Sequence, residues 1–375
     1  MKKRFNYFLF FLVAALVGFS FLFFAVLSTP VSLQRFGNPN EYFFHQVLYG
    51  LLPALIAGAA AYKISLNFLK KWAFWLVIFN SLALFLVFLP FIGSKAGGAT
   101  RWLDLGSFSI QPSEFFKITA ILYLSAWIAS RLPENKVSGW KSAAKRGYYN
   151  IIYVLLPFLV FLGLITSALY LQSDASTLGI ITITLLVLYF SAKTPLWHTL
   201  LIIFSGISFL MFMIRFEPYR FNRWLIFLHP ETDPLGKGYQ LRQSLISLGS
   251  GGLFGKGLGM SVQKFNFLPQ AISDSIFAII GEELGIAGSA VLIALFVLFF
   301  WMGIKISKNS RDRFASMTAV GIVFWITFQA FVNISSTVGI FPMTGIPLPF
   351  FSYGGSHLVV EMIGVGLLLN ISRNA

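Results

Sequence analysis

Long apolar runs alternate with short polar breaks along almost the whole chain. Runs of about 20 apolar residues each suffice to cross a hydrocarbon core of roughly 30 Å as a helix. The pattern predicts ten such spans, the first near the N-terminus and the others at about 46–66, 72–92, 112–130, 150–171, 176–191, 196–214, 274–304, 314–335 and 352–371. The opening MKKRFNYFLFFLVAALVGFSFLFFAVLS is basic and then apolar. Its apolar part exceeds the roughly 7–15 residues of a signal peptide core, so it reads as an uncleaved span. The fold class expected is therefore an all-α polytopic membrane protein of ten helices. A long extracytoplasmic loop is expected between spans 7 and 8, and residues 1–375 read as a single domain without repeats or linkers.

The polar breaks differ in kind. The longest polar stretch, 229–285, is rich in Gly and carries charges of both signs. Within it Leu241, Leu245, Ile246 and Leu248 interleave with Arg242 and Gln243, the spacing of a short amphipathic helix lying in the interface. The cluster 249–259 ends that helix. Segment 274–285, with Asp274, Glu282 and Glu283, is expected to extend the eighth span to or above its outer boundary.

Composition sharpens the membrane reading. The 375 residues are 57% hydrophobic, with 43 Phe, and only 11% charged, against about 25% charged in soluble domains. The net charge of +15 lies mostly in short loops between spans, which fits orientation of the spans rather than a nucleic-acid surface. Most Lys and Arg fall on 1–4, 62–71, 131–148, 192–195, 305–313 and 372–375. These segments, and both termini, are therefore expected to be cytoplasmic. The absence of Cys removes disulfides and thiol chemistry.

On the outer side, three stretches could carry chemistry beside Asp274. Asp274 follows LPQAIS and precedes an apolar helix. It could cap that helix, or serve as an interfacial carboxylate whose apolar surroundings tune it toward a general base. Residues 97–117 hold Arg101, Trp102, Asp104, Glu114 and Lys117, with Gln111-Pro112-Ser113-Glu114 as a helix start. Arg101 and Lys117 suit a pyrophosphate at the water boundary, although Lys117 could simply snorkel. FPMTGIPLPFFSYGGS, 341–356, has the Pro and Gly content of a rigid re-entrant turn, tolerated at membrane depth when buried in protein. Asp174, in LQSDAST, reads as a turn residue. The four His show no zinc-like spacing.

Taken in order, GGATRWLDLG (97–106), QPSEFFK (111–117), DPLGKGYQ (233–240), SGGLFGKGLG (250–259), LPQAISDSIFAIIGEELG (268–285) and TGIPLPFFSYGGS (344–356) resemble the SEDS family of bacterial cell-wall proteins. The family includes FtsW, RodA and the sporulation paralogue SpoVE, and GLGMSVQKFNFLP (257–269) is closest to the FtsW branch. The resemblance implies a ten-span peptidoglycan glycosyltransferase in the bacterial cytoplasmic membrane, polymerising lipid II on the outer face. Its implied partners are lipid II, the nascent glycan, a class B penicillin-binding protein of the FtsI type, divisome regulators and membrane lipid. Asp274 falls on the family's catalytic Asp. Arg101, Lys117, Glu114, Arg242 and Trp102 are then candidates for holding substrate and its pyrophosphate. Asp174, Gln270, Glu283, Ser352, Gly354 and Gly355 are expected around the supporting cavity. A divalent cation, Mg or Mn, could share the pyrophosphate, but no dedicated metal site is legible.

This chain also departs from the family pattern. Gln270, Ile272 and Ser273 stand where the family usually has Glu, His and Thr, and His45 stands where it has an Arg. Glu361 lies inside the last span, where a charge is expensive and marks a cavity or partner. Glu361 is the residue that best suits an alternative reading as a lipid II flippase. A recruiting scaffold is the third class, and it leaves the outer charges without a task.

Overall fold

The computed structural model describes residues 5–89, 91–96, 99–106, 108–131, 151–192, 194, 197–198, 200–206, 225–233, 236–265 and 267–373. Residues 132–148 of the expected third inner loop and 207–214 of the expected seventh span lie outside these. Among the described residues, seven helices are long and apolar enough to cross a membrane: α1 (Tyr7–Phe36), α2 (Glu41–Lys63), α3 (Leu66–Leu86), α5 (Ile151–Leu171), α8 (Ile276–Asn309), α9 (Arg313–Thr337) and α10 (Gly355–Ser372). Helix α4 (Pro112–Arg131) is of spanning length but carries Glu114 and Lys117, and α6 (Ala175–Ser191) is shorter. A short helix, α7 (Lys237–Ser250), precedes α8. The protein is thus a multi-pass membrane protein.

Local sequence explains several helix starts. Asn6 accepts from Leu9 N at 3.0 Å, Ser65 from Phe68 N at 3.1 Å and Asp312 from Ala315 N at 3.1 Å, satisfying amide groups that a first helical turn leaves open. Helices α9 and α10 are the most enclosed, with 61% and 72% of their apolar windows buried against 22–39% for the other spans. They form the centre of the bundle. Large apolar side chains such as Leu22, Ile56, Phe79 and Leu164 remain exposed on the periphery, as expected for surface that faces lipid.

The chain is not purely helical. A three-stranded antiparallel sheet, β1 (Gly93–Ala96), β2 (Ala99–Asp104) and β3 (Ser109–Ile110), occupies the expected outer loop. Trp102 pairs with Ser94, and Leu103 with both Gly93 and Ile110. Asp104 Oδ1 accepts from Gly106 N at 2.9 Å and closes the β2–β3 turn.

Two ends of the bundle can be distinguished. At one end Gln46 exchanges hydrogen bonds with Gly354, while at the other Asn370 donates to Ala61 O and Ile64 O. Helices α2 and α10 therefore run parallel. Arg313 donates to Ala192 O at that second end, and the starts of α6 and α8 lie at the first.

Helix α8 is broken rather than extended. Gly285 adopts φ 68°, ψ −166°, a region open to Gly, and separates a buried half-helix at 276–284 from the span that follows. The break frees backbone groups, and the glycine-rich loop fills them. Lys256 N and Gly257 N donate to Glu282 O and Glu283 O, and Ile286 N and Ala287 N donate to Gly252 O and Leu253 O. This replaces the sequence expectation of one helix running outward through Glu282 and Glu283.

Candidate active site

Asp274 sits one residue before the cap of the half-helix, in a turn set by Gln270. Gln270 is exposed, has φ 54°, and its carbonyl accepts from Ser273 N and Ser275 N. Asp274 itself is half-buried. Its carbonyl accepts from Asn333 Nδ2 at 2.8 Å, and the same amide nitrogen reaches Ile346 O at 2.7 Å. Ser352 Oγ donates to Ser273 O at 2.7 Å, and Tyr353 N donates to Ile272 O at 2.8 Å. Ser275 Oγ accepts from Gln240 Nε2 of α7 at 3.0 Å.

The opposing wall is the segment 338–354. It is non-helical, and its second half is buried: Leu348, Phe350, Phe351 and Ser352 are each no more than 1% exposed. Such backbone persists at membrane depth only if its polar groups find partners in protein. Gln329 Nε2 donates to Pro347 O at 3.1 Å, Ser176 Oγ to Thr344 O at 2.6 Å and Ser20 Oγ to Phe350 O at 2.7 Å. Leu348 N donates to Ser352 Oγ, and Phe350 N to Glu361 Oε2 at 2.8 Å. Gly345 has φ 71°, and a Cβ built there would lie 3.3 Å from Asp274 Oδ2. Its lack of a side chain is what lets the segment pass the carboxylate.

Ser176 connects this wall to a second cluster. Asp174 is 3% exposed and caps α6, accepting from Thr177 N at 3.3 Å. Its other oxygen accepts from Gln111 Nε2 and Ser113 Oγ, each at 3.4 Å. Arg101 lies 4.0 Å from Asp174 Oδ1 and donates to the carbonyls of Gln172 and Ser173. The turn reading of Asp174 therefore holds, and the same carboxylate is a partner of Arg101. Trp102 follows on β2, half-buried. Gly354 and Gly355 bring the start of α10 against Gln46 and Tyr49. Tyr353 OH and His45 Nδ1 are 2.9 Å apart, so His45 helps hold this turn in place. Burial pushes the Tyr353 phenol up to about 12.

Several expected site residues are engaged elsewhere. Lys117 neither snorkels nor reaches the outer surface. It is 4% exposed, pairs with Glu114 at 2.7 Å, donates to Gln329 Oε1 at 2.9 Å and lies 5.1 Å from the Trp325 ring. A polar pair inside the bundle must be satisfied by protein, and α9 supplies the partners. Glu283 is 1% exposed and held by the glycine-rich loop. It accepts from Lys264 Nζ at 3.0 Å, Gly259 N at 2.8 Å and Ser261 N at 3.2 Å. Glu282 accepts from Lys256 Nζ at 2.7 Å and Ser261 Oγ at 2.5 Å. Together they clasp the loop 251–264 onto the half-helix. Glu361 pairs with His357 at 3.4 Å and holds Phe350 N, so the buried acid of the last span supports the re-entrant wall.

Helix α7 forms where a short amphipathic helix is expected, with Leu245 and Ile246 exposed as for a helix lying in the interface. Its polar residues Gln240, Ser244 and Ser247 are buried, Gln240 bonded to Ser275 and Ser247 to Ala278 O and Glu282. Exposed Arg242 lines a groove of about 520 Å³ with Tyr239, Leu241, Leu245 and Ile246. Among the described residues no three His, Asp or Glu side chains gather as a metal site.

The sequence reading missed Gln329 and Asn333. Both amides lie in the apolar run of α9, four residues apart, and with Trp325 they form one face toward the site. That spacing was the available signal, because polar groups inside a span require a partner.

The comparisons with known proteins agree with this architecture. The profile of the FtsW, RodA and SpoVE cell cycle proteins matches residues 7–375. The chain belongs to this family. It is 36% identical over 363 residues to the probable peptidoglycan glycosyltransferase FtsW of Coxiella burnetii, covering 96% of this chain and 93% of that protein. It is 38% identical over 307 residues to stage V sporulation protein E of Bacillus subtilis, covering 81% and 80%. Among solved structures, a chain of a peptidoglycan synthase complex superimposes with a TM-score of 0.77 at 24% identity, covering 99% of this chain and 98% of that one. The rod shape determining protein RodA of Thermus thermophilus gives 0.67 at 24% identity, with 99% and 97% covered. At such identity these structures speak to the fold of this family member, and the fold is shared.

Proposed function

We propose that this chain is a peptidoglycan glycosyltransferase of the FtsW type, which polymerises lipid II on the outer face of the bacterial cytoplasmic membrane with Asp274 as general base. One observation carries the assignment of the base. Glu114, Asp174, Glu282, Glu283 and Glu361 are all buried and bonded to cations or backbone donors. Asp274 is half-buried and lies in the turn before the half-helix, tied by Asn333 to the re-entrant wall that passes its carboxylate at Gly345.

In the proposed step, the 4-hydroxyl oxygen of one sugar attacks the anomeric carbon of a second. The bond from that carbon to undecaprenyl pyrophosphate breaks, its electron pair leaves with the pyrophosphate, and Asp274 takes the hydroxyl proton. Arg101, 31% exposed, and exposed Arg242 are the cations proposed to meet the departing charge. Lys117 and Glu114 stabilise the wall from below through Gln329. A divalent cation, Mg or Mn, bound with the pyrophosphate would share its negative charge. The cytoplasmic placement of both termini rests on the Lys and Arg distribution. A class B penicillin-binding protein, with divisome regulators, is the proposed partner because a polymerised strand needs crosslinking. The flippase reading leans on Glu361, whose Oε2 accepts from Phe350 N, and that bond favours a part for this acid in holding the re-entrant wall.

The test is glycan formation from lipid II by the purified protein in liposomes, with and without a class B penicillin-binding protein. Long glycan strands support the proposal. Lipid II crossing the bilayer without polymer under either condition would replace it with transport.

A further inference from the structure

At the end of the bundle opposite Asp274, the end of α2, the start of α3, the start of α9 and the end of α10 enclose a cavity of about 340 Å³. Lys63, Ser65, Asn67, Asp312, Asn370 and Arg373 supply its polar lining. Most of these groups have structural tasks. Asn370 Nδ2 is shared between Ala61 O and Ile64 O, Ser65 Oγ caps α3, and Asp312, the one acid in the lining, caps α9.

Arg373 is different. Its guanidinium lies 5.5 Å from the Tyr62 ring centroid, and its Nε is buried with no hydrogen-bond partner. A buried donor left open is costly in a folded protein, and an open Nε–H beside a second cation suits a phosphate or carboxylate. Lys63 is exposed and forms no ion pair among the described residues. The first amides of α3 add a favourable partial charge at the same place.

We propose that this cavity is a binding site for the phosphodiester head group of an anionic phospholipid. A lipid is favoured over free phosphate by what adjoins the site. Helix α3 presents exposed Phe68 and Trp72, stacked with centroids 5.8 Å apart, as apolar surface for acyl chains. Lys70 and Lys71, also exposed, raise the local positive potential that draws anionic lipid to a membrane surface. The site is remote from Asp274 and independent of the reaction assigned there.

Native mass spectrometry of the full-length protein in detergent tests this, with phosphatidylglycerol or phosphatidylcholine added. The wild type is expected to retain phosphatidylglycerol in preference. The double variant Lys63→Gln/Arg373→Gln should lose that preference by about tenfold or more. Lys70→Gln/Lys71→Gln, which leaves the cavity intact, should lose much less. Arg373→Lys keeps the charge but not the Nε donor, and should fall between wild type and the double variant. A thermal unfolding scan of each variant in detergent separates lost binding from lost fold, with Arg373→Lys as the milder probe. Equal lipid retention by wild type and the cavity variants would overturn the site. Displacement of the lipid by inorganic phosphate at equal concentration would overturn its lipid character and assign a soluble phosphate instead.

Discussion

Asn333 Nδ2 donates at 2.8 Å to the carbonyl of Asp274 and at 2.7 Å to that of Ile346. A single amide on α9 thus fixes the spacing between the turn that carries the proposed base and the re-entrant wall facing it. Asn333→Ala removes the donor from both carbonyls. Leaving such groups unpaired costs about 1–3 kcal/mol each when buried, so stability in detergent should fall by about 2 kcal/mol or more. The polymerisation rate should fall further than the lost folded fraction explains. Unfolding curves and initial rates on the same preparation check this.

The clasp between Glu283 and Lys264 is nearly free of solvent, at 1% and 3% exposure. Lys264→Met strands a buried carboxylate, a change worth about 3–5 kcal/mol. The double variant Lys264→Met/Glu283→Gln removes the charge and keeps an acceptor for one of Gly259 N and Ser261 N, which donate to different carboxylate oxygens, so it should recover part of that loss. Equilibrium unfolding in detergent followed by circular dichroism measures both. Lys256, more exposed at 36%, should matter less when changed to Met.

Gly345→Ala tests the wall directly. The left-handed backbone adds strain of about 1–2 kcal/mol for a residue with a side chain. The new methyl would also press on Asp274 Oδ2 from 3.3 Å. The expected result is a modest loss of stability and a rate loss of about tenfold or greater, since small displacements of a catalytic group are costly. Ser176→Ala, which frees Thr344 O without adding volume, should be milder in the same assay.

Tyr353 gives the chain a signature in alkali. Burial raises its phenol from the usual 10.0 to about 12, so in the folded protein it keeps its proton where the unfolded chain loses it. Stability from this group is complete below pH 10 and is lost as pH rises from about 10 to about 12. Tyr353→Phe should flatten the stability profile over that window and leave the slope between pH 6 and 9 unchanged. Unfolding midpoints measured across the range decide it.

Much of this architecture is legible in the chain because lipid imposes it: apolar runs of spanning length, Pro and Gly in the re-entrant segment, and Asp174 as a turn residue. What escaped depends on contacts between distant residues. Lys117 looks like an interfacial cation until Gln329, 212 residues away, and Trp325 are placed beside it. The run through Glu282 and Glu283 looks like continuous helix, because nothing local says that a loop 26 to 34 residues earlier will occupy the break at Gly285. The sheet is invisible for the same reason, as a strand of 2 to 6 residues is defined by its partner. The polar face of α7 is bonded to residues outside it, Ser275, Ala278 and Glu282.

The most direct measurement is the initial rate of glycan synthesis from lipid II by the wild type and by Asp274→Asn, each with its class B partner in liposomes. Asn preserves the size of the side chain and removes its ability to accept a proton. A rate lower by about 100-fold or more, with unfolding midpoint and lipid II binding unchanged, is the result predicted. Synthesis by Asp274→Asn at the wild-type rate would contradict the assignment of the base and leave the half-buried carboxylate without a part in the chemistry.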